Sequence, residues 1–134
     1  MILYRTIGYA ELKKLSLSQK IEGHCINKHT DVPVVCFFQE PFRWNSNTYE
    51  YLVCIEISKD DPRLIDICLG IYHVPADYCV SDIWNGDIGP KELKMQEYLL
   101  KEYSVSDVRS IEANPATRNR SRNSRNFVCQ KTAG

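Results

Sequence analysis

The chain has 134 residues, 43% of them hydrophobic, and its 17 Lys+Arg balance 17 Asp+Glu to a formal net charge of zero. That length suits one domain with a core of its own, and no run approaches the roughly 20 apolar residues of a membrane span. A neutral total predicts no partner from the field of the whole molecule. The charge is unevenly placed, however: residues 1–108 hold 11 Lys+Arg and 16 Asp+Glu, whereas residues 109–134 hold 6 and 1. An acidic body precedes a basic tail.

Residues 2–6 read as a short strand, punctuated by Gly8. Residues 9–20 read as a helix with Leu12, Leu15 and Leu17 on an imperfect apolar stripe, stopped near Gly23 as a left-handed cap. Residues 24–32 are polar and read as a loop. Val34, Val35, Cys36, Phe37 and Phe38 form an apolar run between Pro33 and Gln39, the mark of a buried strand. A loop bearing Phe42, Arg43 and Trp44 follows. Residues 48–58 alternate, with Tyr49, Tyr51, Val53 and Ile55 on one side and Glu50, Leu52, Cys54 and Glu56 on the other.

Asp60, Asp61 and Pro62 predict a turn. Residues 64–74 are a further strand region with a break at Gly70, and residues 78–80 another short strand. Asn85-Gly86 and Gly89-Pro90 are turn signals. Residues 91–102 are left open: Leu93, Glu97 and Leu100 have helical spacing, while residues 95–100 equally fit a strand. Residues 108–113 read as a last strand. Residues 116–126 have no apolar periodicity and cannot offset their ordering entropy. One helix among many strands predicts an α+β domain over residues 1–114, with residues 115–134 an unstructured basic tail.

Cys36, Cys54 and Cys68 sit in apolar runs and read as small buried hydrophobes. Without a Cys-x-x-Cys or a leader-like opening, the six cysteines are expected to be reduced thiols in a cytoplasmic protein, with no metal site. Without a paired carboxylate or Cys, His24, His29 and His73 read as structural or solvated. No Gly-rich phosphate loop is present, which argues against a Rossmann or P-loop site.

Three stretches resemble the ADP-ribosyltransferase superfamily, in particular its small DarT-like branch. The first is Leu3, Tyr4, Arg5 and Thr6, leading into Glu11–Leu15 and on to Gly23. The second is the apolar run Val34–Phe38, similar to the strand that floors the NAD cleft. The third is Gln96, Glu97, Tyr98, Leu99 and Leu100, followed by Val105–Val108 and Ile111. The sequence departs from the arginine-modifying branch, which has a Glu where this chain has Met95, and a Ser-Thr-Ser is replaced around Phe37, Phe38 and Gln39.

The resemblance implies a mostly antiparallel split sheet and NAD as substrate, with ADP-ribose passed to a macromolecular acceptor, protein or nucleic acid. It implies Glu97 as the carboxylate that steadies the oxocarbenium-like sugar, and Gln96 as a group that positions the acceptor or the nicotinamide ribose. Tyr4, Arg5, Thr6, Phe38 and Trp44 become NAD-binding candidates: Arg5 through its fork of donors, Tyr4 and Phe38 by stacking, Trp44 from a loop over the cleft. Two other readings stay open. Arg118, Arg120, Arg122 and Arg125 attract phosphates, as in a small nucleic-acid-binding or nuclease-type toxin protein. A non-enzymatic interaction protein with an inactive transferase-like fold is the third.

Overall fold

The computed structural model describes residues 1–26, 31–41, 51–74 and 90–113. In chain order they form β1 (Ile2–Ile7), α1 (Tyr9–Ser18), β2 (Lys20–Glu22), β3 (Cys25–Ile26), β4 (Pro33–Phe38), β5 (Tyr51–Glu56), β6 (Leu64–Val74), β7 (Lys91–Leu100), β8 (Glu102–Ser104), a 3-10 turn (Val105–Asp107) and β9 (Val108–Ala113). Six strands lie in the order β6-β7-β4-β1-β5-β9, with β3 added beside β4, and β2 pairs with β8 as a separate ribbon. Every described pairing is antiparallel. The chain is a small single α+β domain with a mostly antiparallel sheet, as its composition of elements predicts.

Alternation assigns the two faces, because residues directly opposite on antiparallel strands share a side. Leu3, Ile7, Val35, Phe37, Tyr51, Val53, Ile55, Tyr98, Leu100, Ile111 and Ala113 point one way and meet Leu12 and Leu15 of α1 and Ile21 and Tyr103 of the β2–β8 ribbon. Phe37 and Tyr103 pack edge to face, their centroids 5.1 Å apart. The other face carries Tyr4, Thr6, Phe38, Leu52, Cys54, Met95, Glu97 and Leu99. The central strands are therefore apolar on both sides, which explains the unbroken run in β4.

Residues 91–100 form strand β7, and after a bend at Lys101 Glu102 opens β8. A helix would set Tyr98, Leu99 and Leu100 a hundred degrees apart around one axis, whereas β7 divides them between the two buried faces of the sheet. β6 runs unbroken through Gly70, paired to Met95. Cys25 and Ile26, expected in a loop, instead pair with Val34 and Pro33. The helix is shorter than its sequence pattern: Leu17 is exposed, and α1 ends at Ser18 with Gln19 as the left-handed cap at φ 65°.

Gly23 is thus not the helix stop, and its backbone is not left-handed. Its role is steric. Its N–H donates to the Lys101 carbonyl at 2.7 Å, and a Cβ there would run into the backbone of Pro33 and Val34. Neither neighbour can swing aside as a side-chain tip would. Gly23→Ala is therefore expected to destabilise the fold by about 1–3 kcal/mol, seen as a lower urea midpoint with an unchanged m-value.

Candidate functional site

Glu97 lies near the middle of β7, between Phe38 of β4 and Cys68 of β6. It is half-buried, on the face away from α1. The register extends a row from it across the sheet: Phe38, then Tyr4, then Cys54, then Ser110. Thr6 shares this face but is buried, at 5% exposure.

The Glu97 carboxylate is held from β6. The Tyr72 hydroxyl donates to Oε1, and Cys68 Sγ lies 3.9 Å from Oε2. Tyr72 also packs edge to face on Phe38, with centroids 5.7 Å apart, in a small apolar cluster with Met95 and Leu93. Burial, then the adjacent Glu97 carboxylate, pushes the Tyr72 phenol far above its ordinary pKa, so the hydroxyl stays a donor. The same two causes push the Cys36 thiol up to about 11, and burial raises Cys54. These thiols are poor nucleophiles, because the thiolate is the reactive form. Among the described residues, Cys25, Cys36, Cys54 and Cys68 form no disulfide.

Arg5 belongs to the opposite face. Its Nη2 and Nε donate to Glu11 Oε1 and Oε2 at 2.7 and 2.9 Å, and Nη1 donates to the Cys36 carbonyl at 3.2 Å. The pair is largely buried, with 14% and 15% of the two side chains exposed. Tyr103 donates its hydroxyl to Glu11 Oε2 at 2.7 Å. His24 stands at the mouth of this network, where Nε2 accepts from Arg5 and Nδ1 donates to the Glu22 carbonyl. Burial opposes the Glu11 charge, but the Arg5 fork and the Tyr103 hydroxyl outweigh it and hold the carboxyl below its usual range. Glu11 is the partner that sequence reading missed; its place in the first turn of α1, six residues after Arg5, is the signal that pointed to it.

A second clamp ties the turn before β6 to the 3-10 turn. Arg63 bridges Asp61 at 2.8 Å and Asp107 at 2.7 Å, and Asp107 also accepts from the Ser104 N–H. Hydrogen bonds from Arg63 hold Asp61 low; Asp107 stays low because Arg63 and Ser104 outweigh its burial. All three depressed carboxylates favour the fold while ionised. Their contribution is complete above their ordinary pKa values of 4.5 for Glu11 and 3.8 for the two aspartates, and is lost as pH falls through the lower folded values. Melting temperature should therefore drop steadily below about pH 4.5, and Glu11→Gln should show a shallower acid limb than the parent.

The candidate residues thus divide. Tyr4, Thr6, Phe38 and Glu97 share one face. Arg5 and Gln96 lie on the other, with Gln96 exposed and its Oε1 accepting from the Tyr98 hydroxyl at 3.3 Å. Trp44 lies outside the described residues, as do the turns at 85–89 and the basic tail. Described residues line two cavities, one of about 170 Å³ beside Gln39, Glu40, Met95 and Gln96 and one of about 210 Å³ beside Glu11, Lys14 and His24. Both fall below the roughly 300–1,000 Å³ of small-molecule sites.

Tyr72 carries no mark of a functional residue in the sequence, and Gly70 reads there only as a break in the strand. The signal was a strand glycine followed two residues later by an aromatic, a pattern in which the ring covers the gap. Among the described residues no helix is long and apolar enough to cross a membrane, and no group of His, Cys, Asp or Glu has metal-holding geometry. Comparison with known proteins finds no matching family model, curated sequence or solved structure.

Proposed function

We propose that this protein is an NAD-dependent ADP-ribosyltransferase that passes ADP-ribose to a macromolecular acceptor, protein or nucleic acid, with Glu97 as its catalytic carboxylate. One observation carries the reading: Glu97 stands half-buried on a strand, in a row with the aromatic side chains of Phe38 and Tyr4. A carboxylate fixed beside aromatic surface is what the reaction requires. The bond from ribose C1′ to the nicotinamide nitrogen breaks, its electron pair leaves with neutral nicotinamide, and the sugar becomes oxocarbenium-like. An acceptor nucleophile then bonds to C1′ and gives up its proton.

Glu97 serves this step by accepting from a ribose hydroxyl and by placing negative charge near the developing cation. Phe38 and Tyr4 offer rings for nicotinamide to stack on. Arg5 is assigned to the fold in this account, because its donors are engaged by Glu11, Cys36 and His24. The test is a melting temperature that rises with NAD concentration, together with release of nicotinamide. A protein that neither responds to NAD nor releases nicotinamide is not this enzyme.

A second reading, an inactive relative that acts as an interaction protein, is favoured by one observation: the Glu97 carboxylate is already engaged by the Tyr72 hydroxyl. It predicts binding of NAD without turnover, or no binding at all. A nucleic-acid-binding protein would instead show salt-sensitive affinity for DNA or RNA that disappears with residues 115–134.

A further inference from the structure

Gly70 and Tyr72 lie on the same face of β6 as Cys68, which is the direct cross-strand neighbour of Glu97. Tyr72 is opposite Leu93, two positions further along each strand than the Gly70–Met95 pair. To reach Glu97, the tyrosine ring must lie back along β6 over Gly70. It can do so only because Gly70 has no side chain: a Cβ there would collide with Glu97 Oε1 and with the Tyr72 ring and hydroxyl. The ring is fixed in turn by its edge-to-face contact with Phe38.

We infer that Tyr72 is a positioning residue for Glu97, its hydroxyl holding Oε1 across the gap left by Gly70 so that Oε2 stays available to a ribose hydroxyl. The inference rests on the transferase reading for its catalytic consequence. The hydroxyl acts by preorganisation. A free glutamate samples several rotamers, and each turnover would lose the fraction of time spent away from the reacting sugar. One fixed donor removes that loss and leaves Oε2 with no strong hydrogen bond from the described residues. Cys68 Sγ, at 3.9 Å from Oε2, contributes only a weak contact to that oxygen.

Tyr72→Phe separates this role from packing. The ring and its contact with Phe38 remain, and only the hydroxyl is lost. A crystal structure of the variant should show the Glu97 carboxylate displaced or spread over several rotamers, with the melting curve close to that of the parent. For nicotinamide release, kcat should fall roughly ten- to hundredfold, the scale of one hydrogen bond to a charged group, while KM for NAD changes little. Gly70→Ala gives an independent check, since its methyl group forces Tyr72 and Glu97 apart with the hydroxyl still present; it should lower kcat in the same direction. An unmoved carboxylate in Tyr72→Phe, or an unchanged kcat in an active parent, overturns the inference while leaving the transferase reading standing. A parent that releases no nicotinamide overturns that reading and the catalytic part of this inference with it, whichever way Glu97 moves in the crystal.

Discussion

Replacing Glu97 with Gln should leave NAD affinity nearly unchanged and reduce nicotinamide release by about two to three orders of magnitude, the scale for loss of one electrostatic stabiliser. The substitution keeps the side chain's length and an oxygen able to accept from Tyr72, so the row across the sheet is preserved. It removes only the negative charge that opposes the oxocarbenium-like sugar. An effect on kcat without an effect on KM is the signature of an interaction made in the transition state alone. A melting curve matching the parent's excludes unfolding as the cause. If the parent turns over and Glu97→Gln is equally active, the catalytic carboxylate is elsewhere. Glu92 and Glu102 are the next to examine, although Glu92 is exposed and paired with Lys94 and Glu102 lies on the β2–β8 ribbon near Lys20.

Removing the Glu11 carboxylate should have the largest effect on stability. Glu11→Ala leaves the Arg5 guanidinium largely buried without its bidentate partner and the Tyr103 hydroxyl without its acceptor. Breaking such a pair from one side costs about 3–5 kcal/mol, which for a domain of this size lowers the melting temperature by more than about 10 °C. Arg5→Ala should be costly for the same reason, from the other side. Arg5→Met combined with Glu11→Leu should recover much of the loss, because no charge then remains buried. NAD affinity offers the contrast. With Arg5 on the helix side of the sheet, a correctly folded Arg5 variant should bind NAD as the parent does. A selective loss of NAD binding at normal stability would return Arg5 to the site.

The elements whose pattern is local were legible in the sequence. β4 follows from five apolar residues behind Pro33, the turn at Asp61 from its Asp-Asp-Pro, and β9 from residues 108–113. β5 shows the alternation expected of it, with Tyr51, Val53 and Ile55 in the core. The misreadings arose where tertiary contact decides. β7 carries helical spacing at Leu93, Glu97 and Leu100, yet pairing on both edges makes it a strand. Gly23 looks like a helix cap, yet what it answers to is the backbone of Pro33 at the start of the neighbouring strand β4. Sequence also sets Tyr4 and Arg5 side by side, and a strand sends neighbours to opposite faces. Only the register across β1, β4 and β7 shows which of them accompanies Glu97. The contribution of Tyr72 is invisible for the same reason, being 25 residues from the carboxylate it holds.

The proposed activity requires that this protein break the bond between ribose and nicotinamide through Glu97. The direct measurement is chromatographic quantitation of nicotinamide released from NAD by the purified full chain, with water as acceptor, alongside Glu97→Gln at matched concentration and confirmed folding. Release should be proportional to protein and reduced at least a hundredfold in the variant. Equal release by parent and variant, or none from a parent that is folded and saturated with NAD, would contradict the proposed activity.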